Sequence, residues 1–187
     1  ALIPQGLLLG HDPWSRPIAT VGGAISTNGM GYLAGKYGSM GQQVQGLEVV
    51  LGTGEVIQTP SVPKIAGPDL DNIFIGAEGA MGIITKATLE AFPQPEVRSL
   101  HAFRFTSFAP GFTAVQEMYA IGLRPAMVDF AEEYPREPLK QPEEGITTLY
   151  LSFDGFKEEV AAQVDRGRKI CRASGGEELP FEEADTF

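Results

Sequence analysis

Two glycine-dense segments are the residues in this chain whose types and spacing could do chemistry. The first, residues 20–31, reads Thr-Val-Gly-Gly-Ala-Ile-Ser-Thr-Asn-Gly-Met-Gly, and the second, residues 76–85, reads Gly-Ala-Glu-Gly-Ala-Met-Gly-Ile-Ile-Thr. Glycine allows positive φ angles and lets backbone N–H groups approach a ligand without a Cβ in the way. Because apolar, strand-like runs flank both segments, we predict that they form two walls of one cofactor site.

The arrangement of the glycines does not follow the two common phosphate-binding patterns. There is no G-x-G-x-x-G after a strand, as in a Rossmann fold, and no G-K-[ST], as in a P-loop. The first segment instead predicts a glycine-rich turn flanked by the polar side chains of Ser26, Thr27 and Asn28. Several donors in one concavity suit a pyrophosphate that is held by neutral dipoles.

The charge distribution and the cysteine count exclude several classes of partner and of covalent cross-link. The net charge is −10, and residues 129–187 carry 15 acidic and 7 basic side chains. This acidic end argues against a nucleic-acid or anionic-membrane partner. The single cysteine, Cys171, excludes an internal disulfide and is expected to be a small buried residue. With no transmembrane run and no signal-peptide pattern, the expected location is cytoplasmic.

The pattern of predicted elements changes near residues 93–98. Before this point lie 16 of the 23 glycines. Here we predict a β-hairpin over 47–51 and 56–59, a short helix over 69–76 and a strand over 83–92. After this point we first predict a strand over 100–105, a helix over 107–121 that Gly122 ends, and a strand over 126–131. A polar loop over 132–145, a strand over 147–153 and a helix over 157–173 follow. This order suits a small antiparallel sheet with helices on one face, ferredoxin-like or part of one.

An ordered set of short motifs points to a known family. It reads Gly10-His11-Asp12-Pro13, Thr20-Val21-Gly22-Gly23, Tyr37-Gly38, Leu47-Glu48-Val49-Val50-Leu51, Gly54-Glu55-Val56, Gly67-Pro68-Asp69-Leu70 and Gly76-Ala77-Glu78-Gly79-Ala80-Met81-Gly82-Ile83-Ile84-Thr85. The set resembles the FAD-linked oxidases of the vanillyl-alcohol oxidase type, and among them D-lactate and glycolate dehydrogenases and alkyl-dihydroxyacetonephosphate synthase. The resemblance is dense over residues 9–95 and looser over residues 98–180.

The resemblance implies an α+β chain with two domains. Residues 1–95 would be the second half of a PCMH-type FAD-binding domain, its C-terminal subdomain, without the N-terminal subdomain. Residues 96–187 would be part of a ferredoxin-like, substrate-binding cap domain. We therefore expect a fragment that is inactive in isolation and that self-associates or needs a missing partner half.

The resemblance also implies where FAD would contact the chain. The expected cofactor-binding residues are Trp14, Ser15, Thr20, Gly22, Gly23, Thr27, Asn28, Gly29, Met30, Glu78, Gly79, Gly82, Ile83 and Ile84. No metal site is expected, and the catalytic base is expected outside this chain. The two histidines, His11 and His101, are both expected to be structural, since one histidine rarely acts without a positioned partner.

The implied function is that of an FAD-dependent oxidoreductase acting on a small 2-hydroxy acid such as D-lactate or glycolate, with the hydride passing to flavin N5. Two alternatives stay open: a flavoenzyme like alkyl-dihydroxyacetonephosphate synthase, without net redox change, and a flavin-free accessory subunit of a multi-subunit oxidase. In the synthase branch an arginine occurs on the strand that here includes Asp129. A carboxylate there would repel an anionic substrate, unless it pairs with Arg124 or Arg104.

Overall fold

The computed structural model describes residues 2–60, 68–133 and 146–180. The chain divides into two compact units, residues 1–94 and residues 95–187, and each builds its own hydrophobic core. The assignment of these units to a FAD-binding domain and a cap domain stays a prediction. In the described ranges, no helix is long and apolar enough to cross a membrane.

The first unit is built on a three-stranded antiparallel sheet. Its strands are β2 (Val44–Val50), β3 (Val56–Gln58) and β4 (Ile83–Leu89), in the order β3-β2-β4. A second, two-stranded sheet pairs β1 (Leu7–Leu8) with β5 (Phe92–Pro93). The other elements are short: helices α1 (Val21–Ser26) and α2 (Ala34–Tyr37), and 3-10 turns at Ile3–Gln5, Gly41–Gln43 and Leu70–Ile73.

The core of this unit forms between the central strand and α1. The buried residues are Ile25, Met40, Val44, Leu47, Val49 and Phe74. Because β2 pairs on both sides and carries three of these side chains, it is the element on which the other parts of the unit are assembled.

The structure confirms the predicted hairpin and corrects two neighbouring predictions. The helix predicted over 69–76 is only the 3-10 turn Leu70–Ile73. The strand predicted over 83–92 ends at Leu89, after which one further bond, from the Glu90 N–H to the Gln43 carbonyl at 2.8 Å, continues the pairing with the residue before β2. The chain then enters β5, which belongs to the other sheet.

The second unit is an antiparallel sheet with two helices. Its elements are β6 (Val97–Phe105), α3 (Phe108–Ala120), β7 (Met127–Glu133), β8 (Ile146–Gly155), α4 (Lys157–Ala173) and β9 (Glu177–Glu178). The strand order is β7-β8-β6-β9, and all neighbours are antiparallel. A β-α-β-β-α-β chain in this order is a split-βαβ, ferredoxin-like fold. The predicted α+β class is therefore confirmed.

One face of this sheet packs against the two helices. The buried cluster consists of Phe103, Phe105, Ala114, Met118, Leu149, Leu151, Phe153, Val160, Val164, Ile170 and Cys171. Two helical glycines make close packing possible. A Cβ on Gly111 would lie 2.6 Å from the Phe130 ring, and one on Gly167 would lie 3.1 Å from the Phe153 ring. Gly122, with φ +83°, follows the end of α3 as predicted.

The sequence does not predict the fourth strand, β9. It pairs with β6 through only two residues, opposite Phe103 and Arg104. The Glu178 carboxylate compensates, because it accepts hydrogen bonds from Arg168 at 2.7 Å and from Arg172 at 2.9 Å. The first two residues of the loop predicted over 132–145 belong to β7, which extends to Glu133. The rest of that predicted loop lies outside the described residues.

We predict that Cys171 is unreactive in the folded chain. Its side chain is fully buried, and burial raises the pKa of the thiol to about 12, so the thiolate that alkylating reagents need is absent. Intact-mass analysis after iodoacetamide treatment near neutral pH should show no adduct in buffer and one adduct in concentrated urea. Full labelling of a chain that keeps its folded circular dichroism spectrum would contradict this prediction.

Candidate functional site

The first glycine segment forms a capped helix rather than the predicted turn. The Thr20 hydroxyl accepts a hydrogen bond from the Gly23 N–H at 3.1 Å and so caps the first turn of α1. A Cβ on Gly23 would lie 2.9 Å from that hydroxyl, while one on Gly22 would meet the Ile84 carbonyl oxygen at 3.5 Å. Glycine at residue 23 therefore makes room for the cap, and Gly22 faces the start of β4.

The second glycine segment is a loop of left-handed residues. Gly76, Glu78, Gly79 and Gly82 have φ angles of +73°, +50°, +83° and +149°. Gly82 has no room for a side chain, since a Cβ would lie 2.7 Å from Val49 and 2.8 Å from the Val50 carbonyl oxygen. Glu78 is the one residue of these four that is not glycine, and a left-handed conformation costs roughly 1–2 kcal/mol for a residue with a Cβ.

The structure brings the two segments together. The Gly76 N–H donates to the Ile25 carbonyl at 3.1 Å, and the Glu78 N–H donates to the Ser26 carbonyl at 2.9 Å. These carbonyls lie at the C-terminal end of α1, where a helix lacks its own donors. The loop at residues 76–82 therefore completes the end of α1, and the two segments become neighbours as predicted.

Thr27 and Asn28 are engaged within the chain. The Thr27 hydroxyl donates to the Gly23 carbonyl at 3.1 Å. Asn28 has a φ of +49°, and its Oδ1 accepts a hydrogen bond from the Gly41 N–H at 3.0 Å. The sequence predicts that these polar groups serve a pyrophosphate; in the structure they hold the loop that carries them.

Large exposed apolar side chains are frequent in the segments expected to bind FAD. Trp14, Met30 and Ile83 have relative exposures of 82%, 72% and 70%. Ile18 and Met81 are similarly exposed beside them in sequence, although the resemblance did not single them out. Ile3 and Phe156, which lie outside these segments, are exposed to a similar extent, at 68% and 67%. Exposure alone therefore does not mark a site, but Met30 and Ile83 lie within the two glycine segments and are available for contact with a ligand.

Few charged groups accompany these segments. Arg16 and Asp12 form an exposed pair at 3.3 Å. Burial lowers the pKa of the neighbouring His11, and the Asp12 carboxylate partly opposes this effect. Within residues 2–60, 68–133 and 146–180, no group of histidine, cysteine or carboxylate side chains could hold a metal ion.

The second unit contains Arg124, Asp129 and Arg104, the charged residues considered in the sequence analysis. Arg124 donates to the carbonyls of Tyr119 and Leu123 at 2.8 and 3.1 Å, so it closes the end of α3. Asp129 lies opposite Tyr150 in the β7–β8 register, on the sheet face that also holds Arg104.

His101 has several partners within the second unit. Its Nε2 lies 2.8 Å from the Ser99 hydroxyl, and its Nδ1 lies 3.4 Å from the Glu178 carboxylate. Burial and the nearby Arg168 lower the pKa of this histidine. These contacts fit the structural role expected for it.

Comparison with known proteins shows which family this chain is similar to. Residues 1–60 match the family described as "FAD binding domain". The chain is 31% identical over 182 residues to the glycolate oxidase subunit GlcD of Bacillus subtilis, covering 92% of this chain and 38% of that protein. The chain is a relative of FAD-linked oxidoreductases. The resemblance drawn from the motifs and the expected cofactor, FAD, are thereby confirmed.

A second relative carries the name of a different enzyme. Alkyldihydroxyacetonephosphate synthase of Trypanosoma brucei brucei is 34% identical over 128 residues, covering 68% of this chain and 21% of that protein. A solved structure of an alkyldihydroxyacetonephosphate synthase superposes with a TM-score of 0.82 at 23% identity, covering 95% of this chain and 36% of that chain. The chain thus spans well under half the length of these relatives.

We predict that the Asn28 side chain fixes its loop. Asn28→Ala removes the acceptor for the Gly41 N–H and leaves a less tolerant residue in the left-handed conformation, so the free energy of unfolding should fall by about 1–3 kcal/mol. Asn28→Asp keeps an acceptor and tolerates the conformation, so it should stay closer to the wild type. Urea unfolding compares the three chains, and equal stability of the alanine variant would contradict the assigned role.

Proposed function

We propose that this chain forms one side of the FAD site of an oxidoreductase that acts on a small 2-hydroxy acid, such as glycolate or D-lactate. The observation that carries the proposal is the pair of hydrogen bonds that joins the two glycine segments, a helix and a loop that both carry exposed apolar side chains, in a relative of FAD-linked oxidoreductases. When bound, FAD supplies the acceptor for the hydride of the hydroxy acid.

The residues present fit a flavin nucleotide. Trp14, Met30 and Ile83 provide apolar area for ring systems, and the glycines near them leave the backbone accessible. Glu78 is held in a left-handed conformation that glycine would adopt more easily, which favours a role for its side chain at the site. This chain's own contribution would be to bind and orient the cofactor.

The hydroxy-acid substrate is supported by the glycolate oxidase relative, which matches over 92% of this chain. The residue that removes the hydroxyl proton is proposed to lie outside these 187 residues. Neither histidine is suited to that step. His101 is engaged with Ser99 and Glu178, and the buried Nδ1 of His11 has no hydrogen-bond partner in the described part of the chain that could orient the ring.

A synthase-like transferase is the second candidate, favoured by the 34% identity to alkyldihydroxyacetonephosphate synthase. A carboxylate at Asp129 does not separate the two candidates, because a phosphate-bearing substrate and a hydroxy acid are both anions. We prefer the hydroxy-acid reaction because the glycolate oxidase relative matches 92% of this chain, whereas the trypanosomal synthase matches 68%.

We predict that the chain binds FAD and that Ile83 contributes apolar contact. Trp14 is the only tryptophan, so FAD binding should quench its fluorescence. Ile83→Lys should weaken binding roughly tenfold, since burying a comparable apolar side chain contributes about 1.5 kcal/mol or more. Ile121→Lys is the matched control, because Ile121 is an exposed isoleucine of the second unit. No quenching at any FAD concentration would instead favour a flavin-free accessory subunit.

We predict that glycolate or D-lactate reduces the flavin in the protein that carries this sequence. Under anaerobic conditions either acid should bleach the visible flavin band and yield the corresponding 2-oxo acid. The opposite enantiomer, L-lactate, is the matched control. Product analysis separates the two candidates, because a transferase would form an ether-linked product from an acyl substrate and an alcohol without net oxidation. That result would replace the hydroxy-acid proposal.

A further inference from the structure

The His11 ring lies between two glycines of the loop at residues 28–31. A Cβ on Gly29 would lie 3.3 Å from His11 Cε1, and one on Gly31 would lie 3.1 Å from His11 Nδ1. Because both positions are glycine, the imidazole packs directly against the loop backbone. Met30, between the two glycines, is 72% exposed. The histidine therefore contacts both neighbours of a residue that is expected to meet FAD.

Backbone hydrogen bonds tie the same loop to the histidine's own segment. The Tyr32 N–H donates to the Asp12 carbonyl at 2.9 Å, and the Met40 N–H donates to the Gly29 carbonyl at 2.9 Å. The position of the loop thus depends on where residues 11 and 12 lie. The His11 ring and the bond from Tyr32 to Asp12 therefore both hold the loop to this segment, and the bond from Met40 holds it to residue 40.

The surroundings of His11 favour its neutral form. Its Nδ1 is buried and has no hydrogen-bond partner within the described part of the chain. Burial lowers its pKa below the ordinary value. The charged groups near it are the Asp12 carboxylate, which opposes that effect, and Arg16, which pairs with Asp12 at 3.3 Å. Gly29 and Gly31 add no charge to these surroundings.

We propose that His11 is a positioning residue of the FAD site: its imidazole fixes the loop at residues 28–31 and thereby sets where Met30 meets the cofactor. This inference rests on the proposed FAD site. It adds a role for a histidine that is otherwise assigned no part in the chemistry.

The proposal has a definite pH dependence. A histidine released to water titrates near its ordinary value of about 6.5, whereas the packed ring binds its proton less readily. The packed loop is therefore fully favoured above about pH 6.5, and opening becomes easier as pH falls below this value. The effect levels off below the lowered pKa of the packed ring. FAD affinity should follow the same profile.

Since the chain has only two histidines, the test has a matched control. His101 lies in the other unit, and its pKa is also lowered by burial. FAD dissociation constants are measured by flavin fluorescence at about pH 8 and about pH 5.5. The wild type and His101→Gln should both weaken several-fold at the lower pH. His11→Phe should remove that change, and retention of the wild-type pH dependence in this variant would overturn the proposal, as would its loss in His101→Gln.

A second measurement does not depend on FAD. Amide hydrogen exchange at Tyr32 and Met40 reports directly on the two bonds that hold the loop. His11→Ala should speed exchange at both amides, and His11→Phe should restore protection because a ring again fills the space. Unchanged protection in His11→Ala would overturn the positioning role. Failure of the wild type to bind FAD would refute the proposed function, while the exchange result would still decide what His11 does.

Discussion

The C-terminal end of α1 is the point on which the candidate site depends. A six-residue helix has too few internal bonds to be stable alone, and its last carbonyls need donors from elsewhere. Gly76 and Glu78 supply two of them from a loop about fifty residues later in the chain. One set of bonds thus completes the helix and fixes the loop, so neither glycine segment has its observed conformation without the other.

The left-handed residues at this junction show how backbone geometry serves the site. Asn28 and Glu78 are the non-glycine residues with positive φ in the described chain, and each lies in one of the two glycine segments. Asparagine tolerates this conformation and its side chain accepts a bond from Gly41, whereas Glu78 is held through its backbone N–H, which donates to the Ser26 carbonyl.

Local sequence signals predicted the elements that repeat a clear pattern. The α4 helix follows its amphipathic pattern over 157–173, and the hairpin follows its glycine turn. Two elements, α1 and β9, were not predicted from the sequence, and each has a physical reason. The α1 helix contains two glycines, which disfavour a helix, and it forms because Thr20 caps one end and tertiary bonds complete the other. The β9 strand has two glutamates and no alternation, and it forms because two arginines of α4 hold Glu178. The motif resemblance predicted the cofactor, but it did not predict that the His11 ring packs between Gly29 and Gly31.

The edges of the second unit's sheet carry acidic residues. Within the described chain the outermost strands are β7, with Asp129 and Glu132, and β9, with Glu177 and Glu178. Unpaired strand edges are templates for pairing between molecules, and charges on them oppose such pairing. Two copies that met at the β7 edge would bring carboxylates together, whereas at the β9 edge the Glu178 carboxylate is already paired with Arg168 and Arg172. The composition of these strands therefore acts as a barrier to polymerisation through this sheet.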